Sequence, residues 1–153
     1  MNSLAEKNKL EDDHKERIFR RAQKILDTHL TMAKLFDKKR DLSELVRRAK
    51  TCFRRDSDLD ALVGSVFAVW SAASMTDRSS ELRMPLPAQV LAIIRLLGMD
   101  KELGLLERGQ AMFGMGAAAA AVKAHHLAQV KTGQGKSVIL GTLATVLAVS
   151  GLG

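Results

Sequence analysis

The chain has a single cysteine, Cys52, so no intrachain disulfide can form. One thiol fits a reducing compartment. Aromatic residues make up only 4 %: five Phe, one Trp and no Tyr. A stacking platform for single-stranded nucleic acid draws on aromatics, so nucleic acid is not the expected partner. The most apolar stretch, Val138 to Gly153, has sixteen uncharged residues. A membrane-spanning helix needs about 20. The stretch also carries Thr142, Thr145 and Ser150 and follows Lys136. It reads as a buried helix of an α/β core, and no transmembrane segment is expected. The first fifty residues are charged and lead into no apolar signal core, so a secretory signal is not expected. Their many acids argue against a transit peptide. The expected location is cytoplasmic and soluble, with peripheral membrane contact left open.

Carboxylates are missing from the end of the chain. Residues 1–60 hold 16 Lys/Arg against 12 Asp/Glu, and residues 61–100 hold three of each. Residues 101–153 hold five basic and two acidic residues. From Gly109 onward the only charges are Lys123, Lys131 and Lys136. The net charge is +7 over 153 residues, 46 % hydrophobic and 27 % charged. That average is globular and excludes a disordered, collagenous or disulfide-scaffold chain. The basic pairs Arg20-Arg21, Arg47-Arg48 and Arg54-Arg55 are interleaved with acids. Such a pattern is the mark of solvated helix faces, with a nucleic-acid or anionic-lipid surface as the alternative.

Helical spacing dominates the first half. Ile18, Ala22, Ile25, Leu26, His29, Met32, Ala33 and Phe36 form one apolar stripe, predicting a helix over 4–39. Asp41-Leu-Ser-Glu44 has the spacing of a capping box at a second helix start. Leu42, Leu45, Val46, Ala49 and Phe53 supply its stripe, with Cys52 on the same side as core. After the polar break at Asp56-Ser-Asp58, a third helix carries Leu59, Leu62, Val63, Val66, Phe67 and Trp70, all expected in the core. Residues 76–80 read as a loop. Met84-Pro-Leu-Pro87 reads as extended, because each Pro restricts itself and its predecessor. A fourth helix is predicted from Pro87 or Ala88 to Leu97, with Gly98 as its stop. Ala117 to His125 is helical by propensity. His125 and His126 are adjacent and point apart, which makes a poor chelate and favours a structural role.

The segment Leu127 to Leu140, LAQVKTGQGKSVIL, reads as strand, phosphate loop and helix. Gly133 and Gly135 let the backbone approach a ligand without a Cβ in the way. Successive N–H groups there make a nest for phosphate oxygens, and the following helix turns its positive end to the same place. Lys136 supplies a cation for the β- and γ-phosphates, and Ser137 a hydroxyl for Mg²⁺. The strict G-x-x-x-x-G-K-[ST] pattern is not met, because Val130 stands at its first position. The Thr-Gly-x-Gly-Lys-[ST] variant is met by Thr132, Gly133, Gln134, Gly135, Lys136 and Ser137. The bland alternative is a glycine turn with a surface lysine.

Lys131-Thr-Gly-Gln-Gly-Lys-Ser137, preceded by Leu127-Ala-Gln-Val130, resembles motif I of the SecA preprotein translocase ATPases. That family carries an acidic residue where Gln134 stands. The segments Leu62 to Trp70 and Leu86 to Gly98 are similar to the stretches that precede this motif in large proteins with a SecA-like motor domain. The resemblance covers about residues 60–153. It implies ATP and Mg²⁺ as cofactors, a polypeptide as the moved substrate, and Gln89 as the glutamine that reads adenine, a side chain able to donate and accept at the base edge. Gln110 is a weaker rival, and a plain helix-face role is the alternative for Gln89. The second acidic motif and the arginine finger of such motors lie downstream in the family. The expectation is therefore a mainly α chain with an incomplete α/β P-loop (RecA-like) unit at the C-terminus, a truncated first motor lobe. Its parts would be a helical region at 1–80 and the start of a SecA-like ATPase domain at 81–153. ATPase activity is implied for the intact family, with no turnover by this chain alone. The competing reading is a non-enzymatic helical interaction module with a vestigial phosphate loop.

Overall fold

The computed structural model describes residues 2–56, 58–75, 82–100 and 135–150, with side chains described from residue 11 and, in the second helix, up to residue 51. Among these residues the protein is mainly helical: α1 (Asn2–Lys39), α2 (Leu42–Asp56), α3 (Leu59–Ala73), α4 (Pro87–Leu96) and α5 (Lys136–Ser150), with no strand. The predicted strand at 127–130, the helix at 117–125, the loop at 76–80 and the residues Thr132, Gly133, Gln134, Gln110, His125 and His126 lie outside the described residues. So do the side chains of Cys52 and Phe53.

The α1 stripe is buried where its spacing predicts. Ile25, His29, Met32 and Phe36 form its innermost row, and Ile18, Ala22, Leu26 and Ala33 flank it. The helix closes at Arg40, whose φ of 50° is left-handed and whose guanidinium sits 5.6 Å from the Phe36 ring centre. Asp41 then starts α2: its Oδ1 accepts from the N–H groups of Ser43 at 2.9 Å and Glu44 at 3.1 Å. Glu44 does not reach back as a capping-box acid. It accepts from Arg47 and Arg48, and the hydrogen bond from Arg47 first holds its carboxyl down at about 2. Leu45 and Ala49 are buried, while Leu42 at the helix start is exposed.

α3 is the central element and is buried from Asp60 to Ala68. It packs against α1, α2 and α5. Its start is tied to α1 by two ion pairs, Arg21 to Asp60 and Lys24 to Asp58, and Asp58 also accepts from the Ala61 N–H at 3.2 Å. Gly64 lies where α1 and α3 touch backbone to backbone. A Cβ there would run into the Ile25 carbonyl oxygen and stand 2.8 Å from Thr28 Cβ.

α4 and α5 complete the main cluster. Val90, Ile93 and Ile94 of α4 and Ile139 and Val146 of α5 join Ile25, Leu62, Val63, Val66 and Phe67. α4 ends as its Gly98 predicts. Gly98 has φ 65°, its N–H donates to the Arg95 carbonyl, and the Met99 N–H donates to the Ile94 carbonyl at 2.9 Å. That is a Schellman closure, which a glycine makes without Cβ strain. Beyond it, Asp100 is buried and paired with Arg95. α5 is apolar all round but buries only Ile139, Thr142 and Val146, and Leu140 is 64 % exposed.

Trp70 departs from the core expectation. It is 37 % exposed. It sits near the C-terminal end of α3, where its six-membered ring edge lies against the backbone of Gly141 in α5. Hydrophobic spacing placed it on the right side of the helix, but that side ends in a groove.

Candidate nucleotide groove

The groove is built from three segments. The last turns of α3 contribute Phe67, Trp70, Ser71 and Ser74. The extended residues Arg83 to Leu86 form a second wall, and Gln89, Gly135 and Val138 close the end. Its volume is about 420 Å³, within the roughly 300–1,000 Å³ of small-molecule sites.

Ser71 fixes the second wall. The Arg83 N–H donates to Ser71 Oγ at 2.6 Å, and the Ser71 hydroxyl donates to the Arg83 carbonyl at 3.1 Å. A small hydroxyl residue thus stands in for a strand partner and holds the 82–86 segment alongside α3. The prolines keep that segment extended, and Pro87 then opens α4 at a position that needs no N–H.

Gln89 is 6 % exposed in the first turn of α4. The Leu86 N–H donates to Gln89 Oε1 at 3.0 Å. This is half of a capping box, since the Leu86 side chain has no acceptor to return the bond. A backbone N–H can only meet the amide oxygen, so this bond also orients the amide. The NH₂ end of Gln89 lies against Gly135, on the spot a Cβ of residue 135 would occupy. Gly135 has φ 69°, and its carbonyl accepts from the Val138 and Ile139 N–H groups, so it is the last residue before α5. Glycine is required here twice, for the left-handed φ and for the space.

Lys136 and Ser137 follow in the first turn of α5, and both are exposed. That turn carries no acid. Among the described residues neither Lys136 nor Arg83 makes an ion pair. Of the expected site residues, the structure sets Gln89 against Gly135, while Lys136 and Ser137 follow Gly135 in the chain and do not line the groove. Thr132, Gly133 and Gln134 fall outside the described residues. Among the described residues no three His, Cys, Asp or Glu side chains are grouped to hold a metal. No helix of the described residues is long and apolar enough to cross a membrane.

Sequence reasoning missed three groove residues. The exposure of Trp70 had no signal, because spacing along a helix does not say whether a neighbouring element covers a side chain. The Ser71 clamp and the placement of Arg83 had none, because both depend on how the 82–86 segment returns to α3.

Compared with protein-family models, with curated proteins and with solved structures, the chain matches none of them.

Proposed function

We propose that the chain carries the nucleotide-binding portion of a SecA-like motor ATPase and binds ATP with Mg²⁺ in the groove beside Gly135. The observation that carries this reading is the contact of Gln89 with Gly135, two residues far apart in sequence. A base-reading glutamine must stand next to the phosphate loop if one nucleotide is to touch both. The residues present fit such a ligand. Gly135 offers backbone without a Cβ, Lys136 an exposed cation with no ion pair among the described residues, and α5 the positive end of a helix. Gln89 would read the base. The amides from Thr132 to Gly135 would cradle the phosphates, Lys136 would neutralise them, and the Ser137 hydroxyl would reach the Mg²⁺ that accompanies them.

The incomplete α/β P-loop unit, with the strand at 127–130 leading into the loop, belongs to this proposal. So do the two parts at 1–80 and 81–153. In the intact motor ATP supplies the phosphoanhydride whose hydrolysis moves a polypeptide. Turnover in such motors needs an acidic Mg²⁺ motif and an arginine finger, and the residues assigned here account for binding alone. The setting is cytoplasmic, with peripheral membrane contact open and nucleic acid not a partner.

A second reading, a helical interaction module with a vestigial loop, draws on Phe19 and Leu30, two exposed apolar side chains on α1. Calorimetric titration of Mg·ATP into the wild type and Lys136→Ala separates the two. The motor reading expects binding that drops at least about tenfold in the variant, the loss of one charge-assisted contact of about 1.5–3 kcal/mol. Equal or absent binding in both proteins leaves the interaction module.

A further inference from the structure

The indole of Trp70 has two unusual neighbours. On one side is the groove of about 420 Å³ that also holds Gln89 and Gly135. On the other is a smaller apolar cavity of about 120 Å³ between α2, α3 and α5, lined by Val46, Leu62, Val66 and Val149. Trp70 lines both. Its ring edge is fixed by Gly141, where three ring atoms occupy the place of a Cβ. Trp70 is thus a partly exposed aromatic at the wall of a groove, with its ring edge packed on Gly141. A side chain that served only to fill the core would be covered, as Phe67 beside it is.

We propose that Trp70 is the base platform of this site: a purine base stacks on the indole while its edge meets the Gln89 amide. This rests on the nucleotide reading above. The two side chains divide the work. Stacking on a π-face is tolerant of base identity, whereas the Gln89 amide, an NH₂ donor beside a carbonyl oxygen already engaged by the Leu86 N–H, is selective. Arg83 lines the same groove, is exposed and, among the described residues, makes no ion pair, so it offers positive charge to an anionic ligand there.

Trp70 is the chain's one tryptophan, so its emission reports this ring alone. The test is a titration of the wild-type chain with Mg·ATP and with Mg·tripolyphosphate, which has the phosphates and no base. Binding is followed by calorimetry and Trp70 by fluorescence and acrylamide quenching. ATP is expected to quench the emission and shield the ring, and tripolyphosphate to bind with neither effect. Trp70→Phe keeps a π-face and is expected to hold most of the ATP affinity. Trp70→Ala, checked for helix content, weakens ATP about 5- to 100-fold and leaves tripolyphosphate unchanged. If ATP binds the wild type without altering Trp70 emission or shielding, the platform is refuted and the nucleotide site stands. An equal emission change with tripolyphosphate also refutes it, since helix movement would then be the cause. If the wild type binds no ATP, both readings fall.

Discussion

Replacing Gly135 by alanine tests the contact on which the site is built, and it does so without any ligand. Two costs follow from the structure. The backbone at φ 69° is left-handed, which costs an alanine about 1–2 kcal/mol. The new Cβ also lands on the Gln89 amide nitrogen. Gln89 is the far end of a flexible side chain, so it yields. In yielding it gives up the Leu86 N–H, a net loss of about 0.5–1.5 kcal/mol. A strained rotamer adds about 0.5–1.5 kcal/mol. Gly135→Ala should therefore destabilise the wild type by about 2–5 kcal/mol.

In a Gln89→Ala background the second cost is absent. There the same change should cost only the backbone part, about 1–2 kcal/mol. The double-mutant cycle thus predicts a coupling of about 1–3 kcal/mol between two residues that are far apart in sequence and meet at one end of the groove. Urea midpoints for the four proteins, at constant slope, measure it. If Gly135→Ala costs the same in both backgrounds within about 0.5 kcal/mol, Gln89 does not occupy that space and the groove is wrongly closed. A neutral Gly135→Ala would refute the left-handed turn as well.

How much of this was legible in the sequence differs by element. The α1 stripe, the Pro87 start, the Gly98 stop and the helix after Lys136 were legible because each is a local rule. Periodicity, a fixed proline φ and a glycine closure act within one or two turns. Asp41 was legible as a cap, but Glu44 was misread. The capping-box spacing is also the spacing that lets an acid pair forward with Arg47 and Arg48, and two guanidinium partners outcompete one backbone N–H. Trp70 was misread because periodicity reports which side of a helix faces inward. It does not report whether the neighbouring elements meet over that side. Gly64 carried no signal, since the close α1–α3 approach it allows is visible only from the partner helix. The position of Gln89 was implied by the family resemblance, whereas its contact with Gly135 depends on α4 and α5 packing side by side.

Two further changes test the helical frame that holds the groove. Gly64→Ala gains about 1 kcal/mol of helix propensity on paper, yet the added Cβ meets the Ile25 carbonyl, which cannot retreat without moving α1. Overpacking of about 1–3 kcal/mol should win, so the melting temperature falls by several degrees, and a rise would refute the close crossing. His29 is fully buried, neither ring nitrogen has a hydrogen-bond partner among the described residues, and burial pushes its pKa below the ordinary 6.5. The folded chain holds it neutral, whereas the unfolded chain takes up a proton near 6.5. Its contribution to stability is therefore complete above that value and is lost as pH falls toward the folded pKa, at up to about 1.4 kcal/mol per pH unit. His29→Leu removes both the proton and two unsatisfied nitrogens. Urea midpoints between about pH 7.5 and 5 should fall for the wild type and change less for the variant. Parallel slopes would mean that His29 finds a proton acceptor in the folded chain, and the α1 stripe would then be wetter at its centre than its burial implies.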